Sequence, residues 1–174
     1  MLTNRNEAEL LSLFIFSSLP DEVTSSEAAD ILLSCGELDK MKIDDYICSL
    51  IERGQIYSKF SDGDNYVGIS ETGQLVVSAF SEKKQLFRVP VNKALRRYKK
   101  IVCGIDYRID LVKCDGGSNV KFEMLMSGKK YFSTTLFFSN SNDALQVYNR
   151  LDNDPESFYI GVMTVATGDI DYLG

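Results

Sequence analysis

Apolar positions recur at helical spacing through the first half of the chain and alternate along much of the second. Over 7–19, Leu10, Leu11, Phe14, Ile15 and, less regularly, Ser18 follow an i, i+3, i+4 rhythm. That rhythm predicts an amphipathic helix, ended by Pro20 and Asp21. Ser25 or Ser26 is next expected to cap a short helix carrying Ala28, Ala29, Ile31, Leu32 and Leu33, which Gly36 stops. Asp39 or Met41 opens a third helix. Its stripe of Ile43, Tyr46, Ile47, Leu50 and Ile51 is close to ideal, and Gly54 closes it.

After Gly54 the period shortens. QIYSKF and NYVGIS alternate on either side of SDGD, a turn with a glycine free to take positive φ. Together they predict a β-hairpin. Ser70 to Gly73 then starts a fourth helix, expected to be buried through Leu75, Val76, Ala79 and Phe80. Pro90 lies at or before the start of a fifth helix over about 91–101, with Val91, Leu95, Tyr98 and Val102 on its apolar face. Beyond it, IDYRIDLVKC alternates through Ile105, Tyr107, Ile109 and Leu111, and DGGSN signals a turn. VKFEMLM follows with Val120, Phe122, Met124 and Met126 on one side, then a turn at SGKK and a third strand, YFSTTLFF. Asn140 or Ser141 caps a helix that buries Ala144, Val147, Tyr148 and Leu151 and ends at Asp154-Pro155. FYIGVMTV is read as a fourth strand.

The fold class that follows is α+β. An N-terminal winged helix-turn-helix occupies 1–82, a basic linker helix 83–101, and an α/β domain 102–174. In the last, a β-β-β-α-β antiparallel sheet has one face covered by the helix. The pattern Leu50-Ile51, Gly54, Ile56, then Ile69-Ser70, Thr72, Gly73 resembles that of winged-helix transcription factors. Over essentially its full length the chain resembles an uncharacterised bacterial family, a domain of unknown function with an N-terminal winged helix and an α/β C-terminal part. The resemblance implies the fold, and DNA binding by analogy with that scaffold. Its signature residues have structural jobs: Gly54 in a left-handed conformation, Ile56 and Ile69 facing the core, Ser70 and Thr72 at a helix cap.

Charge is segregated along the chain. Residues 1–82 carry five basic and fifteen acidic side chains, whereas 83–100, KKQLFRVPVNKALRRYKK, carry eight basic and none acidic, within a net charge of −6. The basic block reads either as a phosphate-contacting helix or as a helix whose charges pair with the acidic domain before it. In the motif, the third helix holds the position that enters the major groove. The candidate DNA-contacting residues are Lys42, Ser49 and Arg53 on that helix, Lys59 in the wing, and Lys93, Arg96, Arg97, Lys99 and Lys100 on the basic helix. Asp45 and Glu52, beside Asp44, repel phosphate, and the wing adds Asp62 and Asp64.

Other chemistry has little support in the sequence. The chain has no histidine, so imidazole bases and Cys-His zinc sets are excluded. Cys35, Cys48, Cys103 and Cys114 form no CxxC pair and read as thiols in a reducing compartment. No phosphate-binding glycine loop or metalloprotease motif occurs. No enzyme activity and no cofactor is expected. The run LLSLFIFSSL is too short to span a bilayer and lacks a basic flank, which makes a cytoplasmic protein the expectation. Two functions remain: a dimeric DNA-binding transcriptional regulator, whose C-terminal domain dimerises or senses an effector, and a protein-interaction module built on a winged-helix scaffold without DNA binding.

Overall fold

Fourteen residues from Arg5 to Ser18 form helix α1 in the computed structural model, which describes residues 4–168. The chain divides into two units, Met1–Cys103 and Gly104–Gly174. Residues 169–174 of the expected second domain lie outside the described residues. In the first unit α1 is followed by β1 (Val23–Thr24), α2 (Ser25–Ser34), a 3-10 turn (Lys40–Lys42), α3 (Ile43–Glu52), β2 (Ile56–Ser61), β3 (Asp64–Ile69), α4 (Glu71–Ala79) and α5 (Lys84–Ile101). The cap of α2 is Thr24 rather than Ser25 or Ser26. Its hydroxyl accepts from the Glu27 amide while the Glu27 carboxylate accepts from the Thr24 amide, a reciprocal capping box.

The hairpin forms as its turn chemistry requires. Asp62 and Gly63 both take positive φ, which suits the twist of a two-residue β-turn. β3 pairs antiparallel with β2 and, on its other edge, with the short β1, which the sequence pattern did not reveal. Ile56, Val67 and Val23 point inward to a core shared with Leu11, Ile15, Phe16, Ile31, Leu32 and Leu50.

The SxTG stretch at the end of β3 is a structural joint. Ser70 Oγ accepts from the Gly73 amide at 3.1 Å and donates to the Gly54 carbonyl at 2.6 Å. A Cβ on Gly73 would sit 2.1 Å from the Gln55 carbonyl oxygen, so this position admits no side chain. That close approach fixes the rotation of α4, and the expectation for its buried face is corrected. Val76 and Val77 are half-buried, Ala79 and Phe80 are exposed, and Leu75 is 71% exposed. LVVSAF is apolar at five of six positions, so its periodicity selects no face.

Helix α5 begins seven residues before 91, with Pro90 inside it. Proline there removes one backbone hydrogen bond and crowds the preceding turn. Phe87, Val91, Ala94 and Tyr98 oppose that cost by packing a stripe into the first core, with Phe87 edge-on to Phe14 at 5.5 Å. The helix therefore belongs to the first unit. Val102, expected on its apolar face, is exposed.

The second unit contains β4 (Ile105–Cys114), β5 (Gly117–Met126), β6 (Lys129–Phe138), α6 (Ser141–Asn153) and α7 (Pro155–Thr167). The three strands form an antiparallel sheet in sequential order. Tyr107, Val120, Phe122 and Met124 face α6, whose Ala144 and Leu151 are buried. Leu111 and Met126, expected on the buried side, are exposed. The fourth strand is overturned: FYIGVMTV lies in α7. Asp154 accepts from the Ser157 amide and hydroxyl at 3.2 and 2.8 Å, and Pro155 occupies the first helical turn. Gly168, at φ 71°, closes the helix. Asp-Pro thus ends one helix and starts the next, and the order is β-β-β-α-α. No helix among the described residues is long and apolar enough to cross a membrane.

Candidate nucleic-acid interface

The outward face of α3 is acidic around a thiol. Ile43, Tyr46, Ile47 and Leu50 bury the inner face, leaving Asp44, Asp45, Cys48, Glu52 and Arg53 exposed, preceded by Lys40, Met41 and Lys42. Asp44 and Asp45 suit the helix N-terminus, where carboxylates meet the positive end of the dipole. They also set a negative field where a phosphate backbone would have to pass. Ser49, expected on this face, is buried, and Cys48 holds the outward position.

Ser49 and Arg53 serve the interior through Glu9. This glutamate of α1 has a nearly inaccessible side chain. Arg53 Nη1 lies 2.8 Å from one of its oxygens and Arg5 Nε 2.8 Å from the other. Burial pushes the Glu9 carboxyl up, but hydrogen bonds from Arg5 and Ser49 and the charge of Arg53 outweigh it and hold the group below its ordinary range. Arg53 is thus the counter-ion of a buried carboxylate.

The β2–β3 hairpin is tied in a similar way. Strand alternation puts Tyr57 and Lys59 on the sheet face opposite Ile56 and Val67. There the Tyr57 hydroxyl donates to Glu22 at 3.0 Å and Lys59 Nζ stands 3.4 Å from the same carboxylate. Desolvation, then the Glu22 contact, raises the Tyr57 phenol. On the other face Ser58, Asn65 and Ser25 hydrogen-bond in series, joining the hairpin to the start of α2 beside the exposed Phe60.

Helix α5 places its charges along α2. Both Nε and Nη2 of Arg97 donate to Asp30 Oδ2, the former at 3.0 Å. The Tyr98 hydroxyl points at Asp21 at 3.4 Å. Arg96, Lys99 and Lys100 each make a polar or electrostatic contact as well. Lys93 lies near enough to Cys35 to oppose the upward push that burial gives that thiol. Lys42 stands 3.9 Å from Asp39, a loose exposed pair. Among the described residues no carboxylate lies within ion-pair distance of Lys84, Arg88 or Lys93. Lys84 and Arg88 rim a groove of about 710 Å³ floored by Phe14, Val91 and Leu95.

Of the nine expected DNA contacts, Arg53, Lys59 and Arg97 are held by carboxylates of their own unit, Ser49 is buried, and Lys42 is weakly paired. The pairing of Glu9 with Arg53 and of Glu22 with Lys59 carries no sequence signal, because each joins residues far apart along the chain. Among the described residues no three Cys, Asp or Glu side chains gather as metal ligands. Comparison with protein-family models, curated proteins and solved structures finds no match for this chain.

Proposed function

We propose that the first unit is a winged helix that works as a protein-interaction module rather than a groove reader. The element order and the β1-β3-β2 sheet support the winged-helix reading. One observation carries the functional choice: Arg53, Lys59 and Arg97, three of the eight cations expected to meet phosphate, are paired with carboxylates of their own unit, while α3 turns Asp44, Asp45 and Glu52 outward. A groove-reading helix needs the reverse field, since phosphate contacts supply most of the affinity for any duplex. The acidic face of α3, flanked by the hairpin with Phe60 at 76% exposure, suits a basic protein surface with an apolar pocket.

A second reading, a DNA-binding regulator, draws support from Lys84, Arg88 and Lys93 on α5, which would lend phosphate contacts from outside the wing and α3. A mobility-shift titration on mixed genomic fragments at low salt separates the two, because even sequence-independent binding is visible there. The interaction module gives no shift. A shift that weakens for every sequence on Arg96→Ala/Arg97→Ala, with a shallower salt dependence, establishes the regulator instead.

A further inference from the structure

Helix α7 carries no charged residue from Ser157 to Gly168. A helix apolar all round normally sits inside a protein. Its inner side does pack: Phe158 meets Phe122 at 5.0 Å and Tyr159 meets Phe132 at 5.4 Å, both edge-on. Its outer side is open. Val165 is 86% exposed, and with Val162 and Ala166 it borders a groove of about 810 Å³ whose other wall is Val147 and Leu151 of α6. Arg150 and Asp154 stand on the rim. No carboxylate among the described residues is within ion-pair distance of Arg150.

We propose that this groove is a self-association surface, filled by α7 of a second copy of the chain in a two-fold symmetric contact. Such a contact requires one patch to serve as both ridge and groove, and here the Val165 ridge lies directly beside the groove it would fill. The charges agree. The rim holds one cation and one anion, so a two-fold arrangement can set Arg150 of each copy against Asp154 of the other. A strongly charged partner, such as nucleic acid or a basic tail, finds no opposing field along an uncharged helix. Gly161 lines the same groove, and a Cβ built on it meets nothing within 4 Å. The approaching helix can therefore come close to the α7 backbone. An apolar patch of this kind, left uncovered, invites non-specific association. The inference concerns the second unit and does not rest on the reading of the first as an interaction module.

Sedimentation equilibrium of the full chain over a range of concentrations tests it. The expected result is a reversible monomer–dimer equilibrium, weakened at least about tenfold by Val165→Glu and by Gly161→Leu. Both changes fall at open positions, so circular dichroism stays at the wild-type level and neither change lowers Tm. Gly161→Leu is expected to raise Tm slightly, because leucine favours a helix interior more than glycine. Arg150→Glu weakens the dimer less, and less still at high salt. A strictly monomeric wild-type chain overturns the proposal. So does a dimer that both substitutions leave intact, because the contact then lies elsewhere. If Val165→Glu aggregates, Gly161→Leu decides alone.

Discussion

The two units both expose large apolar side chains but differ in the size of the core beneath them. The first gathers twenty-one buried apolar residues, from Ala8 to Tyr98, into one cluster, and leaves Met41, Phe60, Leu75 and Leu86 facing out. The second buries six around Phe122 and leaves Tyr131, Phe137 and Val165 facing out. Each unit also clamps one shielded glutamate between two cations: Glu9 between Arg5 and Arg53, Glu123 between Lys121 and Lys130. The lesson is that a large count of basic residues need not make a phosphate-binding surface. What matters is whether each cation already has a carboxylate that cannot do without it.

The largest effect is expected at the thin core. Phe122 is fully buried and touches the rings of Tyr107, Phe132 and Phe158, so Phe122→Ala should cost about 3–5 kcal/mol by calorimetry. With few other buried residues to close the gap, a cost below about 1 kcal/mol would mean that the second core is not built around this ring. Gly73→Ala comes next. Its Cβ must displace the Gln55 carbonyl, and a loss of about 1–3 kcal/mol in chemical denaturation is expected. Wild-type stability there would show that the joint after the hairpin has room to spare.

Arg53→Ala follows, at about 1–3 kcal/mol, because it strips a charged partner from a buried carboxylate. Lys42→Ala, by contrast, should change stability by less than about 0.5 kcal/mol. Equal effects at the two positions would erase the distinction between a structural and a surface cation.

Glu123 offers a test by acid. Hydrogen bonds from Lys121 and Lys130 hold its carboxyl down at about 2, against an ordinary 4.5. A depressed carboxyl contributes stability that is complete above the unfolded value and fades as pH falls towards the folded one. Denaturation midpoints should therefore drop between about pH 4.5 and 2, and Glu123→Gln should flatten that drop. The smallest effect is expected at Leu75→Ala, within about 0.5 kcal/mol, since this side chain is mostly in water. A loss of about 2 kcal/mol or more would mean that α4 is rotated from the orientation described.

Much of the first unit was legible in the sequence. The α3 stripe, the Asp62-Gly63 turn and Gly54 each give a local signal, and the local signals agree. What escaped was set by distant partners. Ser49 looks like a surface residue because it is polar, yet its hydroxyl serves Glu9 on another helix. The outward position passed to Cys48, its neighbour in sequence. Leu75 fits a buried stripe, but the backbone contact at Gly73 turns it away. FYIGVMTV is short, uncharged and rich in aromatic and branched residues, so its period does not separate strand from helix. The deciding feature was the Asp154 cap with Pro155, two residues that also suit the end of the preceding helix. Of the candidate interface, the acidic character of α3 could be read directly. The pairing of Arg53, Lys59 and Arg97 could not, because it joins residues 37 or more positions apart.

The most direct test of the neutralised interface is fluorescence anisotropy of a labelled mixed-sequence duplex, titrated with the wild-type chain from low to physiological salt. A flat response is expected at every salt concentration. A saturable rise at low salt, steeply lost as salt increases and reduced by Lys42→Ala or Lys59→Ala, would contradict it.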